Sequence, residues 1–294
     1  MGDEQKIFNC IAIIGVGLIG GSIGMAAKKN SLVSKVIGIG RNERRLMKAK
    51  ILGAIDDYST SLHDSLSEAD AVFICTPVRM VIPTLRNIIP HLKEDAIVTD
   101  VGSTKREICM QAADLMPSRR VFLGGHPMAG SEQTGVEYAI PDLFLGATYV
   151  LTPDENCDFE TLGKMTQFVE RIGAKAEIMS PEEHDAATAI ISHLPHVMAA
   201  SLLHLAEKNQ RETGKIFQLA AGSFRDLTRI ADSSSELWKD ICLTNADSIC
   251  ESIDSYIGYL DKFRNALMEC DEAAIEKLFE SAKEFRETYV RIKR

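Results

Sequence analysis

Apolar residues in the first half of the chain fall into short runs: 11–14, 36–39, 71–75, 97–100 and 121–123. Helical spacing fills the gaps between them, at about 18–29, 43–52, 80–91 and 105–116. Short, wholly apolar strands spaced by helices predict a parallel sheet covered on both faces. Right-handed crossovers then give a doubly wound α/β fold. Two further apolar runs, 147–151 and 175–179, flank a helical stretch near 159–172 and add strands at one edge. From Pro181 onward the pattern changes and predicts helices alone. Ser180 reads as a helix cap, with Pro181 in the first turn and acidic residues after it. Two heptad stripes follow: Ile249, Ile253, Tyr256, Leu260, Phe263, Leu267, then Ile275, Leu278, Ala282, Phe285, Tyr289, Ile292. Cys270-Asp271 separates them, so they predict an antiparallel helix pair whose stripes form core or pack across a two-fold axis. The expected division is an α/β domain over 1–180 and an all-α domain over 181–294.

The first strand runs into Gly15-Val-Gly17-Leu-Ile-Gly20, which opens an apolar helix. That is the context in which a G-x-G-x-x-G sequence binds a dinucleotide. Gly15 permits the tight turn, Gly17 the approach of a pyrophosphate, and Gly20 the packing of helix on strand. The N–H groups of Leu18 and Ile19 then face the phosphates. An acid at the tip of the second strand would select NAD by bonding the ribose hydroxyls. Here the strand ends Ile39-Gly40-Arg41-Asn42, and Arg41 suits the 2′-phosphate of NADP. The expected cofactor is NAD(P), with NADP favoured slightly over NAD. Thr76-Pro77, after the third apolar run, falls beside the nicotinamide ribose.

Charge narrows the partners. Lys and Arg number 33 against 42 Asp and Glu, a net charge of -9. Such a chain does not attract a phosphate backbone over broad surfaces, so nucleic acid is not an expected partner. Any anionic ligand requires local cations. The seven cysteines are scattered without a C-x-x-C, which fits free thiols in a reducing compartment and no zinc site. No uninterrupted apolar run approaches the roughly 18 residues that span a bilayer, and the first residues are polar. A cytoplasmic protein that does not engage membranes is expected.

Three segments carry polar residues that a core would not require. Asp100-Val-Gly-Ser-Thr-Lys105 and Gly124-Gly-His-Pro-Met-Ala-Gly-Ser-Glu132 each directly follow a strand. Ser192-His-Leu-Pro-His196 lies in the helical half, with Phe224-Arg-Asp-Leu-Thr-Arg-Ile-Ala231 and Trp238-Lys-Asp240 further on. Together with the glycine loop, and in this order, these segments resemble the prephenate/arogenate (cyclohexadienyl) dehydrogenase family over roughly residues 8 to 290. The resemblance implies a Rossmann-like domain followed by an all-helical dimerisation domain, hence a homodimer. It implies NAD(P)-linked oxidative decarboxylation of prephenate to 4-hydroxyphenylpyruvate, or of arogenate to tyrosine, in tyrosine biosynthesis.

Such a reaction removes hydride from a carbon bearing a hydroxyl, so the hydroxyl proton needs an acceptor. A histidine of near-neutral pKa suits this role, and His126 at a strand end is the expected base. Ser103 supplies a second hydrogen bond to the same hydroxyl. Arg229 matches the family's carboxylate-binding arginine, and Glu132 a residue that orients this arginine or gates the site. His196 and Ser131 line the expected substrate pocket. His193 reads as structural. Arg225 and Asp226 form an internal ion pair or touch substrate, and Lys105 is either a ligand contact or an exposed helix lysine. Two other readings are weaker. A β-hydroxyacid dehydrogenase would place a lysine where Ser192, His193 and His196 stand. A non-catalytic dinucleotide-binding redox sensor would not need the polar strand ends.

Overall fold

The computed structural model describes residues 6–62, 65–117, 120–131 and 133–290. Eight strands form one sheet in the order β3-β2-β1-β4-β5-β6-β7-β8. They are β1 (Phe8–Ile14), β2 (Val33–Ile39), β3 (Asp57–Ser59), β4 (Ala71–Ile74), β5 (Ile97–Asp100), β6 (Val121–Pro127), β7 (Thr148–Thr152) and β8 (Lys175–Ile178). The helices between them are α1 (Leu18–Lys29), α2 (Glu43–Ile51), α3 (Val81–Ile88), α4 (Arg106–Leu115) and α5 (Phe159–Arg171). Pairing is parallel from β3 across to β6, antiparallel between β6 and β7, and parallel again between β7 and β8. The expected doubly wound α/β fold is therefore present. Its strand order reverses between β1 and β4, where open α/β sheets bind ligands at the carboxyl ends of their strands.

The alternation of side chains along β1 explains why its run is apolar throughout. Ile11 and Ile13 enter a core layer with Phe73, Phe168 and Tyr149. Ala12 and Ile14 enter the opposite layer with Val72, Leu85 and Val98. Both faces are covered, so neither can be polar. Two features depart from the pattern. Strand β3 is not foreshadowed by the pattern: Asp57-Tyr-Ser is only half-buried to exposed and carries no apolar run. Strand β6 runs on through Gly124, Gly125 and His126, so His126 lies within a strand, not after one. Glycine permits this. A Cβ on Gly125 would stand 2.7 Å from the Asp100 carbonyl oxygen, and one on Gly124 2.3 Å from Thr152 Oγ1.

Beyond β8 the regular elements among the described residues are all helices. Helix α6 (Pro181–Thr188) carries a full capping box between Ser180 and Glu183. A single π-helical turn, Ala189–His193, joins it to α7 (Leu194–Thr213), which ends at Gly214 in the left-handed conformation (φ 69°). Pro195 directly follows this π-turn inside the continuous helix, a position where the ladder is already interrupted and its missing N–H is accommodated. By length and composition, the continuous helix Pro181–Thr213 could cross a membrane, although no uninterrupted apolar run of that length occurs in it. Its polar residues His184, Asp185 and His193 are buried, whereas Ile190, Ile191 and Leu205 are exposed. Helices α8 (Gly222–Thr228) and α9 (Ser235–Thr244) follow.

The chain divides into two compact units, Met1–Ala246 and Asp247–Arg294. The second consists of most of α10 (Ala246–Met268), with α11 (Glu272–Phe285) and a final π-helical turn. The rings of Phe263 and Phe279, one from each stripe, meet edge to face at 5.3 Å. Asp271 caps α11 by accepting a hydrogen bond from Ala274 N at 3.0 Å. Ile292, the last position of the second stripe, lies outside the described residues.

Candidate active site

The glycine loop passes directly beneath the end of β4. Gly15 has φ +93°, and a Cβ there would come within 2.6 Å of the Cys75 carbonyl oxygen. A Cβ on Gly17 would meet nothing within 4 Å, so that side of the turn is open to a ligand. Helix α1 begins at Leu18 without a side-chain cap or an acid in its first turn, which leaves its leading N–H groups and positive dipole end for an anion. Thr76 Oγ1, just past β4, is buried without a hydrogen-bond partner among the described residues. Pro77 beside it is exposed. A crowded turn, an open glycine and an orphaned hydroxyl along one crevice fit a dinucleotide. At the far end, Arg41 is exposed beyond β2, and Asn42 caps α2 by accepting from Arg45 N at 3.1 Å.

The neighbouring strand ends are tied together by one carboxylate. Asp100 Oδ2 accepts from Gly102 N at 2.8 Å and from Lys105 Nζ, and its Oδ1 accepts from Gly125 N at 3.1 Å. Both side chains of the Asp100–Lys105 ion pair are 0% exposed. Lys105 is therefore neither a surface lysine nor a ligand contact: its charge is spent inside the protein. The knot fixes the turn that carries Ser103 relative to the strand that carries His126.

A chain of three side chains then reaches His126 from α6. Asp185 Oδ1 lies 2.7 Å from His184 Nδ1, and His184 Nε2 lies 2.8 Å from His126 Nδ1. Asp185 also accepts from Lys105 N at 2.8 Å and Arg106 N at 2.9 Å, which caps α4 from another element. A carboxylate only accepts, so His184 holds its proton on Nδ1 and offers Nε2 as an acceptor. His126 must then donate through Nδ1, leaving Nε2 with a free lone pair. Burial holds the His126 imidazolium well below the usual histidine range, and the nearby charges of His184, Lys105 and His193 act in the same direction. His126 is thus a neutral imidazole with one nitrogen available to take a proton.

A second aromatic group continues from the same network. Asn245 Nδ2 donates to the Asp185 carbonyl at 2.8 Å and lies 3.2 Å from His193 Nδ1. His193 packs edge to face on Trp238, and His196 stacks on the same indole at 3.7 Å. His196 Nδ1 donates to the Ser192 carbonyl at 2.9 Å, which leaves its Nε2 as an acceptor. Burial lowers His193 to about 4 against the opposing pull of Asp185; burial also lowers His196. Trp238 Nε1 and Asn245 Oδ1 are buried without partners among the described residues. Such orphans are rare away from ligand sites.

The remaining expected residues share no hydrogen bond with this network among those described. Arg229 is exposed at the end of α8, and Ser131 is exposed after β6, where its Oγ accepts from Gln133 N at 3.2 Å. Glu132 lies outside the described residues. Arg225 donates to the Ala220 carbonyl at 3.4 Å; no Arg225–Asp226 ion pair occurs among the described residues. The sequence reading missed His184, Asp185 and Asn245. Pro181-Glu-Glu-His-Asp looks like a solvated acidic helix start, and only His184-Asp185 of it turns inward. The signal that was available is a histidine beside an acid one turn into a helix that carries further histidines at 193 and 196.

Comparison with known proteins adds to this geometry. Residues 23–178 match the family model described as prephenate dehydrogenase, nucleotide-binding domain, and residues 180–284 match prephenate dehydrogenase, dimerization domain. The chain is 40% identical to the prephenate dehydrogenase of Bacillus subtilis (strain 168), over 96% of this chain and 76% of that one. It is 34% identical to the cyclohexadienyl dehydrogenase of Zymomonas mobilis, over 95% of this chain and 96% of that one. Among solved structures, the A. aeolicus prephenate dehydrogenase in complex with hydroxyphenyl propionate and NAD+ superposes with a TM-score of 0.88 at 32% identity, covering 95% and 98% of the two chains. Synechocystis arogenate dehydrogenase gives 0.85 at 33%, covering 95% and 99%.

Proposed function

The chain belongs to the prephenate dehydrogenase family, and from that premise we propose that it oxidatively decarboxylates prephenate to 4-hydroxyphenylpyruvate, using NAD(P) and His126 as the base. The observation that carries the reading is the free Nε2 of a neutral His126 held by the Asp185–His184 chain. The alternative substrate is arogenate, which gives tyrosine by the same bond changes. It is supported by the cyclohexadienyl and arogenate dehydrogenases among the similar proteins.

In the reaction a ring C–H bond breaks with its electron pair, and the hydroxyl on that carbon becomes a carbonyl. The bound nicotinamide supplies the acceptor for the hydride. His126 Nε2 takes the hydroxyl proton, and Ser103 Oγ donates to the same oxygen and holds it. The ring carboxylate then leaves as carbon dioxide. Its bonding pair flows into the ring, which becomes aromatic, and the carbonyl oxygen recovers its proton from His126. Gly15, Gly17, Gly20 and the N–H groups of Leu18 and Ile19 would hold the pyrophosphate, with Thr76 and Pro77 beside the nicotinamide ribose. Arg229 binds a substrate carboxylate, with Glu132 orienting it and His196 and Ser131 lining the pocket.

The lack of an acid between Ile39 and Asn42, with Arg41 exposed there, favours NADP over NAD. Residues 1–180 carry the cofactor. Residues 181–294 complete the substrate pocket and pair two chains, a role supported by the dimerization-domain match and the exposed Ile190, Ile191 and Leu205.

A steady-state assay of prephenate and arogenate with NAD+ and NADP+ tests the reading. Reduced nicotinamide should form with prephenate, and its absence with both substrates would remove the proposal. In the same assay Arg41→Ala should weaken NADP+ more than NAD+; equal losses would mean that Arg41 does not read the 2′-phosphate. Arg229→Gln should raise the substrate KM by roughly 10-fold or more, as expected for loss of a charge-assisted bidentate contact. An effect confined to kcat would contradict a carboxylate clamp.

A further inference from the structure

We infer that His184 is a positioning residue: held by Asp185, it fixes the tautomer of His126 so that the bare nitrogen faces substrate, and it keeps the abstracted proton within the site. The inference rests on the reading of His126 as the base, and it adds the device that makes His126 one.

An isolated neutral histidine exchanges its proton between Nδ1 and Nε2, and only one of those forms presents a lone pair in a given direction. Here the choice is made at the far end of a chain of side chains. The carboxylate of Asp185 is surrounded by donors: Lys105 N, Arg106 N and His184 Nδ1. Two of those donors are backbone groups at the start of α4, which cannot lose or turn their hydrogens. Asp185 is therefore an acceptor at every contact, and the polarity of the chain Asp185–His184–His126 is fixed from its far end. Reversing it at His126 would set two bare ring nitrogens against each other, lone pair to lone pair, at 2.8 Å.

The far end also has no outlet. His184 and Asp185 are each 1% exposed, and the chain stops at the two amides that open α4. A proton arriving on His126 Nε2 makes an imidazolium whose Nδ1–H is already bonded to His184, with the Asp185 carboxylate beyond. The positive charge is stabilised in place, and the proton has no path to solvent through α6. This suits the stoichiometry of the proposed reaction. The hydroxyl proton taken during hydride loss is needed again when the carbonyl oxygen becomes a phenol hydroxyl.

The groups facing this chain explain why it requires fixing. Lys105 and Asp100 lie on one side, already paired with each other. His193 lies on another, bonded to Asn245. None of them reaches His126 Nδ1 as an acceptor among the hydrogen bonds described, so His184 alone sets its orientation.

Two measurements test this. The first compares His184→Leu, which removes both contacts, with His184→Gln, whose amide can donate to Asp185 and accept from His126 without titrating. The leucine variant should lose a factor on the order of 10² in kcat with KM for both substrates little changed, and the glutamine variant should recover most of that loss. Wild-type turnover in the leucine variant, or equal losses in both, would overturn the inference. The second uses the wild-type protein labelled with ¹⁵N-histidine at pH 7.5. The His126 imidazole should show a protonated Nδ1 and a bare Nε2. A proton on Nε2 would sink the inference even if neither variant folds. The base reading fails separately, by unchanged turnover in a His126 variant.

Discussion

His126→Asn should lower kcat by a factor on the order of 10² to 10⁴, the usual contribution of a positioned general base, while dinucleotide affinity is retained. The asparagine amide can still donate to His184 Nε2, so the network around it loses little. What it loses is the lone pair that takes the hydroxyl proton. Equilibrium titration with NAD+ and NADP+ separates that loss from a failure to bind. Unchanged turnover would remove His126 from the mechanism. The pH profile carries an independent sign. The base acts when deprotonated, so activity is lost as pH falls through its folded-state pKa. Burial pushes that value well below 6.5. The acid limb of kcat/KM should therefore lie below pH 6.5, with a flat profile from there through neutrality.

Lys105→Met should destabilise the first unit by about 3 kcal/mol, because it leaves the Asp100 carboxylate buried without its cation. Two backbone donors, Gly102 N and Gly125 N, would remain on Asp100, which places the loss at the lower end of that range. For a unit of this size the melting temperature should fall by roughly 6 to 12 °C. Adding Asp100→Asn removes the orphaned charge and should recover part of the loss, a coupling that thermal melts of the two single variants and the double variant measure. A single variant as stable as the parent would show that the pair is not a structural element. Turnover should fall as well, since Asp100 ties the turn of Ser103 to the strand of His126.

The two results bear on what the sequence displays. Strands β1, β4 and β5 are legible because a sheet covered on both faces admits only apolar side chains, and such runs stand out in any reading. The short β3 is not, since it forms at an edge through pairing with β2 and needs no apolar residue of its own. The glycines of the first turn carry their meaning locally. His126 and Ser103 are legible as polar residues in places where a core would not want them. The reverse holds for His184 and Asp185. They sit in a run that looks solvated, and their burial depends on contacts 58 and 80 residues away in sequence. Lys105 is misread for the same reason: a lysine opening a helix is ordinarily exposed, and the partner that buries it is a carboxylate five residues back across a turn. Spacing along the chain reports periodicity, not such cross-links.

Asp185 has a mechanical consequence as well as a chemical one. Its carboxylate grips the first two amides of α4, while its own carbonyl is held by Asn245 at the end of α9. The start of the helical segment is thereby tied to α4 on one side and to the end of α9 on the other. A hinge at Ser180 would have to break the Asp185 bonds to Lys105 N and Arg106 N together with the His184–His126 bond. Breathing motions that admit substrate and release carbon dioxide must therefore arise elsewhere in the molecule, and the amides of Lys105 and Arg106 should be among the slowest in the chain to exchange with deuterated solvent.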